Sequence, residues 1–171
     1  MELTRLLHLA SEMPAYPRLI KRLNQPDAST TASVLDAAKP YLLAALHKQL
    51  GLPLLLVTSA PEDAKKLYGQ ISAWLGPGMV NLFPEPDVLP YQRMASDTAT
   101  ELERIRILAT TANRGATTEP PLIIASAPAM MQKVVSFSDF TRASHSIEPG
   151  MEFEPLQLLR RWQALGYRME P

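Results

Sequence analysis

The chain has 171 residues and carries 17 basic and 17 acidic side chains, so its formal net charge at neutral pH is zero. This balance gives no overall field that would draw the chain to nucleic acid or to an acidic membrane. The sequence contains no cysteine, which excludes disulfides, thiolate metal sites and cysteine nucleophiles. The longest apolar runs are too short to span a bilayer, and we expect a cytoplasmic protein of one domain, or of one domain and a fragment of a second.

Two short helices are predicted first, over residues 3–10 and 15–24, and a polar loop follows them. From residue 32 onward, short apolar runs alternate with helical patterns of apolar residues. The predicted strands cover residues 32–35, 54–57, 80–83 and 122–125. The predicted helices cover residues 40–50, 98–112 and 129–135, together with a helix between Ser59 and Gly76. Such alternation is typical of the α/β class, a parallel sheet with helices on both faces.

Two of these helices carry finer predictions. Ser59 and Glu62 have the spacing of a capping box, in which each side chain satisfies a free amide at the helix start. The inward face of the helix over residues 98–112 is predicted to hold Leu102, Ile105 and Ala109. Its outer face offers two ion pairs at i,i+3 spacing, Glu101–Arg104 and Glu103–Arg106.

The pattern changes near Phe140. Beyond it we predict a strand over residues 144–147 and a strand that begins at Tyr167. Between them we predict a helix over residues 155–165 with Leu156, Leu159 and Trp162 facing inward. We therefore divide the chain into a helical lead-in (1–31), an α/β domain (32–138) and the truncated beginning of a small α+β domain (139–171).

A degenerate phosphate-binding loop is the main candidate for a nucleotide site. The first predicted strand and the helix after it enclose residues 36–40, where a P-loop protein carries glycines, a lysine and a hydroxyl residue. Lys39 holds the place of the lysine, but no glycine lies between Ser33 and Pro40, and Pro40 replaces the hydroxyl. We therefore predict that no cofactor binds at Asp36, Ala38, Lys39 and Pro40. The segment is then an ordinary helix start with Asp36 as the N-cap and Lys39 in solvent.

Two sets of side chains are candidates for contacts with a partner or with nucleic acid. Tyr91 and Arg93 lie in a proline-rich loop, where they can stack a base and contact phosphate, or can pin the loop to the core. Arg160, Arg161 and Arg168 form a small basic cluster that can meet an acidic partner or phosphates, or can form a solvated helix face. The histidines lack a second ligand at helical spacing and no Gly-x-Ser-x-Gly motif is present, so we predict no metal ligand and no catalytic residue.

The segment Phe83-Pro-Glu-Pro-Asp-Val-Leu-Pro-Tyr-Gln-Arg93 resembles the amino-terminal region of the bacterial transcription-repair coupling factors (Mfd). A helix that carries Glu103-Arg-Ile-Arg-Ile-Leu108 follows it, as in that family. Further matches occur in the same order at residues 53–59, 122–131, 147–150 and 165–168. The resemblance therefore covers most of the chain, from Ser33 to Arg168.

This resemblance implies a helicase-like fold, similar to the first domain of UvrB, with a degenerate ATP site. The implied parent is an ATP-dependent DNA translocase that removes RNA polymerase stalled at lesions, and its amino-terminal module recruits UvrA for nucleotide-excision repair. ATP and magnesium belong to the downstream motor, so the resemblance implies that this chain has no cofactor and is not itself an enzyme. The family's main UvrA contacts lie beyond Arg168, and no residue here is assigned to them.

A second interpretation is the nucleotide-binding half of a helicase-type ATPase, or a UvrB-like protein that recognises damaged DNA. UvrB keeps an intact phosphate-binding loop and a tyrosine-rich hairpin. Here the corresponding loop lacks glycine, and residues 84–96 contain one tyrosine. Both departures favour the coupling factors over UvrB.

Overall fold

The computed structural model describes residues 3–76, 78–86, 98–112, 119–144, 147 and 149–167. The chain divides into two compact units, Met1–Lys133 and Val134–Pro171. Within the described ranges, no helix is both long enough and apolar enough to cross a membrane.

The first unit holds a sheet and the helices that pack on it. It begins with a 3₁₀ helix over Leu3–Glu12 and with α1 over Tyr16–Leu23. A short 3₁₀ turn over Asp36–Ala38 leads into the remaining elements. In chain order these are α2 (Lys39–Leu50), β1 (Leu54–Thr58), α3 (Pro61–Leu75), β2 (Val80–Phe83), α4 (Thr98–Ala112), β3 (Leu122–Ser126) and α5 (Ala127–Met131).

Within the described part of the chain, the sheet consists of three parallel strands in the order β1–β3–β2. Leu122 of the central strand β3 lies beside Leu54 of β1 and Val80 of β2. Leu122 and Ile124 are fully buried, as central-strand residues of a covered sheet are. A helix separates each strand from the next along the chain, because parallel strands need a crossover connection. The predicted α/β class is confirmed.

One face of the sheet carries the larger part of the core. Side chains alternate along a strand, so Leu56, Leu82 and Ile124 point to the same face. They pack there with residues of α2, α3 and the first 3₁₀ helix, among them Leu7 and Ile71. Ile71 and Ile124 are fully buried, so this face holds the side chains whose loss would leave a cavity.

The opposite face is covered by α4 over β2 and β3. Phe83 and Ala125 meet Ile107 there in a second, smaller cluster. Leu55 and Val57 of β1 project to this same face, yet they are 50% and 54% exposed. The predicted covering of both faces is therefore incomplete at β1, where no described residue of the first unit buries these two side chains.

The predicted strand over residues 32–35 is wrong. Residues 28–35 form no helix, strand or turn, and Leu35 is 82% exposed. A strand is stable when its backbone groups pair with a neighbour, and the described sheet ends at β1 and β2 without pairing to this segment. The first strand of the sheet is therefore β1, which the sequence predicts as the second.

The helices α1 to α4 begin and end within about two residues of the predicted positions. Gly51 ends α2 in the left-handed conformation, with a φ of 58°. The predicted capping box is wrong, because Pro61 is the first residue of α3 and Ala60, without a side-chain cap, is the N-cap. The helix predicted over residues 129–135 is the shorter α5, whose start is capped by the Ser126 hydroxyl at 3.2 Å from the Ala129 amide.

The described residues of the second unit form two helices, α6 over Phe137–Ala143 and α7 over Pro155–Ala164. The sequence predicts α7 and misses α6. Leu159 and Trp162 of α7 are half-buried, as predicted, whereas Leu156 is 64% exposed.

The described residues of the second unit form neither of the two predicted strands. Ser144, Ile147 and Tyr167 lie outside any strand, and residues 145, 146 and 168–171 lie outside the described part of the chain. None of the described residues of this unit is buried. The start of a second domain at residue 139 stays a prediction.

Candidate functional site

The carboxyl ends of the three strands meet at one edge of the sheet, the edge at which α/β proteins bind ligands. A cavity of about 560 Å³ lies there. Its wall combines the start of α3, the residues after β2 and the end of β3, including Pro61, Ala64, Lys65, Phe83, Glu85 and Ser126. We call this place the carboxyl edge and treat it as the candidate site.

The turn between β1 and α3 decides what the carboxyl edge can bind. It consists of Ser59 and Ala60 and contains no glycine. The Thr58 hydroxyl donates to the Ala60 carbonyl at 2.9 Å, and Pro61 has no amide hydrogen. A phosphate-binding loop needs several backbone amides that point at the anion, and its glycines allow the backbone to adopt that conformation. This short turn does not offer them.

The charges near the turn also disfavour a triphosphate. Glu62 and Asp63 occupy the first turn of α3, where they interact with the positive end of the helix dipole in place of an external anion. Lys65 and Glu85 both line the cavity, so it carries charges of both signs. The acidic side chains at and near the carboxyl edge therefore oppose the binding of a highly negative group there.

Arg104 of α4 holds the residues that leave β2. Its side chain is buried, its guanidinium carbon lies 4.1 Å from the centre of the Phe83 ring, and its Nη1 donates to the Pro84 carbonyl. Burial lowers the pKa of Arg104, although an arginine remains charged at any physiological pH. These contacts fix the direction in which the chain leaves the carboxyl edge after β2.

The inward face of α4 therefore differs from the predicted one. Arg104 and Ile107 are buried, while Leu102 and Ile105 are 61% and 52% exposed. The predicted Glu101–Arg104 pair is wrong, because the guanidinium binds a carbonyl and an aromatic face instead. Arg104 and Ile107 lie on one helix face, but this spacing alone does not indicate that the face with the charged Arg104 is the buried one.

The second predicted ion pair of α4 is confirmed. Arg106 Nη2 lies 2.7 Å from Glu103 Oε1 and 3.4 Å from Asn81 Oδ1 of β2. The hydrogen bond from Arg106 lowers the pKa of Glu103, and the bond to Glu103 raises the pKa of Arg106. Both side chains are exposed, so we expect the pair to contribute less than about 1 kcal/mol.

The residues predicted to mark a degenerate phosphate-binding loop form a 3₁₀ turn and the start of α2, and residues 3–35 before them contain no strand. Asp36 is not the N-cap, because Ala38 occupies that position. Asp36 and Lys39 form an exposed ion pair at 2.6 Å, whose hydrogen bond lowers the pKa of Asp36. Pro40 is buried in the first turn of α2. That these residues bind no cofactor stays a prediction, and the first strand–turn–helix of the fold lies instead at β1 and α3.

Only two of the five candidate contact residues lie within the described part of the chain. Tyr91, Arg93 and Arg168 lie outside the described residues. Arg160 and Arg161 are exposed on α7, and Arg161 Nη2 donates to the Arg142 carbonyl at 3.0 Å. Both predicted roles of this cluster, partner contact and solvated face, therefore stay open.

His47 is a buried histidine that fastens α2 to the segment before β3. Its Nε2 lies 3.0 Å from the Pro120 carbonyl, while its Nδ1 has no hydrogen-bond partner among the described residues. Burial lowers the pKa of His47. The described residues contain no group of three or more histidine, cysteine, aspartate or glutamate side chains that could hold a metal ion.

The fold defines an α/β protein built around a parallel sheet. At its carboxyl edge, the turn between β1 and α3 has no glycine-rich phosphate-binding loop. No family model matches the chain. The chain is 28% identical over 163 residues to a transcription-repair-coupling factor from Myxococcus xanthus. The match covers 91% of this chain and 13% of the relative, so the chain spans about an eighth of the length of that protein. This similarity supports a relation to the transcription-repair coupling factors.

Proposed function

We propose that this chain is a non-catalytic amino-terminal module of a transcription-repair coupling factor. It acts in the cytoplasm as a scaffold that helps to recruit UvrA to RNA polymerase stalled at DNA lesions. ATP hydrolysis, magnesium binding and DNA translocation belong to other parts of such a protein.

The extent of the sequence match carries this proposal. Because the match covers 91% of the chain, it includes residues of both compact units. A parallel sheet with helices hosts many unrelated functions and would not favour one of them by itself. A relation that extends past the sheet into the second unit favours a shared role over a shared fold alone.

The turn between β1 and α3 supports the non-catalytic part of the proposal. It lacks glycine, and α3 begins directly after it with Pro61 and then two carboxylates in its first turn. These features oppose the binding of a triphosphate at the carboxyl edge.

A repair assay tests the proposed role. The gene for this chain is disrupted in its host, and the removal of ultraviolet lesions is measured separately on the transcribed and non-transcribed strands. We expect the faster repair of the transcribed strand to be lost and to return when the intact gene is restored. An unchanged difference between the two strands after disruption contradicts the proposal.

The second candidate function is the nucleotide-binding half of a helicase-type ATPase. Lys65 on the wall of the cavity favours it, because a lysine at the carboxyl edge can contact phosphate. Titration calorimetry with ATP and magnesium separates the candidates. The scaffold proposal expects no binding in the micromolar range, whereas micromolar binding that Lys65→Ala abolishes and Lys39→Ala leaves unchanged supports the ATPase candidate.

A further inference from the structure

An apolar groove lies on the first unit between α1 and the start of α2. It has a volume of about 600 Å³, within the range of specific binding sites. Tyr16 and Leu19 of α1 and Leu42 of α2 form its floor, and residues 30–35 form one wall. We refer to this cavity as the α1 groove. It shares no lining residue with the cavity at the carboxyl edge.

The charged side chains of the α1 groove are both basic. Arg18 and Arg22 line it and stand one helical turn apart on α1, and no carboxylate is among its described lining residues. Both arginines are exposed. Arg18 Nε donates to the Pro14 carbonyl at 3.4 Å, a bond that does not use the outer guanidinium nitrogens. The groove thus combines an apolar floor with two guanidinium groups that match carboxylates.

The wall of the groove has an unpaired backbone. Residues 28–35 form no helix, strand, turn or bend, and Leu35 at the end of this stretch has a φ of −59° and a ψ of 139°, close to an extended polyproline II backbone. Across the described part of the chain, the backbone amides and carbonyls of residues 30–34 form no hydrogen bond. At Leu35 the carbonyl is engaged by the amides of Ala38 and Lys39, so the unpaired stretch ends where the 3₁₀ turn begins. An extended, unpaired backbone is a template on which another extended segment can add as a strand.

From these three observations we propose that the α1 groove binds an extended segment of a partner protein that alternates acidic and apolar residues. The segment pairs with residues 30–34 as an added strand. Its apolar side chains insert between α1 and α2, and its carboxylates bind Arg18 and Arg22. This inference is independent of the proposed function, because it uses a different surface and needs neither UvrA nor RNA polymerase.

The first test uses fluorescence anisotropy with the complete chain and a labelled peptide of about eight residues that alternates leucine and aspartate. Two matched peptides replace aspartate by lysine or leucine by serine. We expect the leucine–aspartate peptide to bind at least about tenfold more tightly than either matched peptide. Equal binding of the leucine–lysine peptide, or binding too weak to measure, overturns the proposal.

Variants of α1 test the contribution of the two arginines. The double change Arg18→Glu and Arg22→Glu should weaken binding of the leucine–aspartate peptide by at least about tenfold, because it places like charges opposite each other. Lys21→Glu is the matched control, since Lys21 is exposed on the same helix and does not line the groove. We expect it to change binding less than about twofold. Equal effects of the double change and of Lys21→Glu exclude a specific contact.

The mode of binding is tested by proton–nitrogen correlation spectra of the chain with and without the leucine–aspartate peptide. The amide signals of residues 30–34 should shift and gain protection from exchange, since an added strand pairs with them. Shifts confined to other residues overturn the strand-addition model. A single-stranded oligonucleotide is titrated in parallel, and tighter binding of that probe than of the peptide also overturns the proposal, because it assigns the arginines to nucleic acid.

Discussion

Replacing Arg104 should destabilise the first unit by more than any exposed change on the same helix. Arg104→Ala removes a hydrogen bond from a charged donor to the Pro84 carbonyl, which contributes about 1.5–3 kcal/mol. It also removes the contact with the Phe83 ring at 4.1 Å, which contributes up to about 2 kcal/mol when it is buried. The cost of burying the guanidinium offsets part of this gain. We therefore expect the free energy of unfolding to fall by about 2–3 kcal/mol.

Urea denaturation followed by circular dichroism measures this change. Arg104→Met keeps most of the apolar stem and should cost less, about 1–2 kcal/mol. Glu101→Ala is the control, because Glu101 is exposed one turn before Arg104 and should cost less than about 0.5 kcal/mol. If Arg104→Ala and Glu101→Ala have the same small effect, the buried contact is refuted and the surface pair predicted from the sequence stands.

Three further predictions concern burial elsewhere in the chain. Ile124→Ala should lower the free energy of unfolding by about 2–5 kcal/mol in the same assay, because Ile124 is fully buried in β3, whereas Leu102→Ala should cost much less. Burial lowers the pKa of His47, so the unfolded state binds the proton first, and stability should fall as the pH decreases below 6.5. The loss of stability at low pH should be smaller in His47→Gln, which keeps a donor for the Pro120 carbonyl. An identical pH dependence of the two proteins contradicts this prediction. Hydrogen exchange should be faster in α7 than in α3, since none of the described residues around α7 is buried.

The sheet could be predicted from the sequence because its strands are short, apolar and separated by long helical patterns. Leu54, Val80 and Leu122 begin the predicted runs and lie side by side in the structure. The order of the strands was not predictable in this way, because it depends on which crossover packs best against the whole sheet. Helix α6 was not predicted, because its seven residues are too few to show a clear helical period.

The side chains that position the carboxyl edge were harder to predict. A charged residue on an amphipathic helix is usually placed on the solvent side, and this rule assigned Arg104 to the surface. Its burial depends on Phe83 and Pro84, which lie about twenty residues earlier and meet α4 only in the folded protein. Burial of a guanidinium between two distant segments is a tertiary effect that no local period reports.

The strand wrongly predicted over residues 32–35 led to a wrong position for the first strand–helix turn. A strand at residues 32–35 made the segment around Lys39 the first strand–helix turn, so its missing glycines became the reason to reject nucleotide binding. The structure places the first such turn at Ser59 and Ala60 instead. This turn also lacks glycine, and it is followed by Pro61 and two carboxylates. A triphosphate at the carboxyl edge is therefore disfavoured by different residues from those that the sequence suggested. Lys65, not Lys39, is the lysine whose replacement tests binding there.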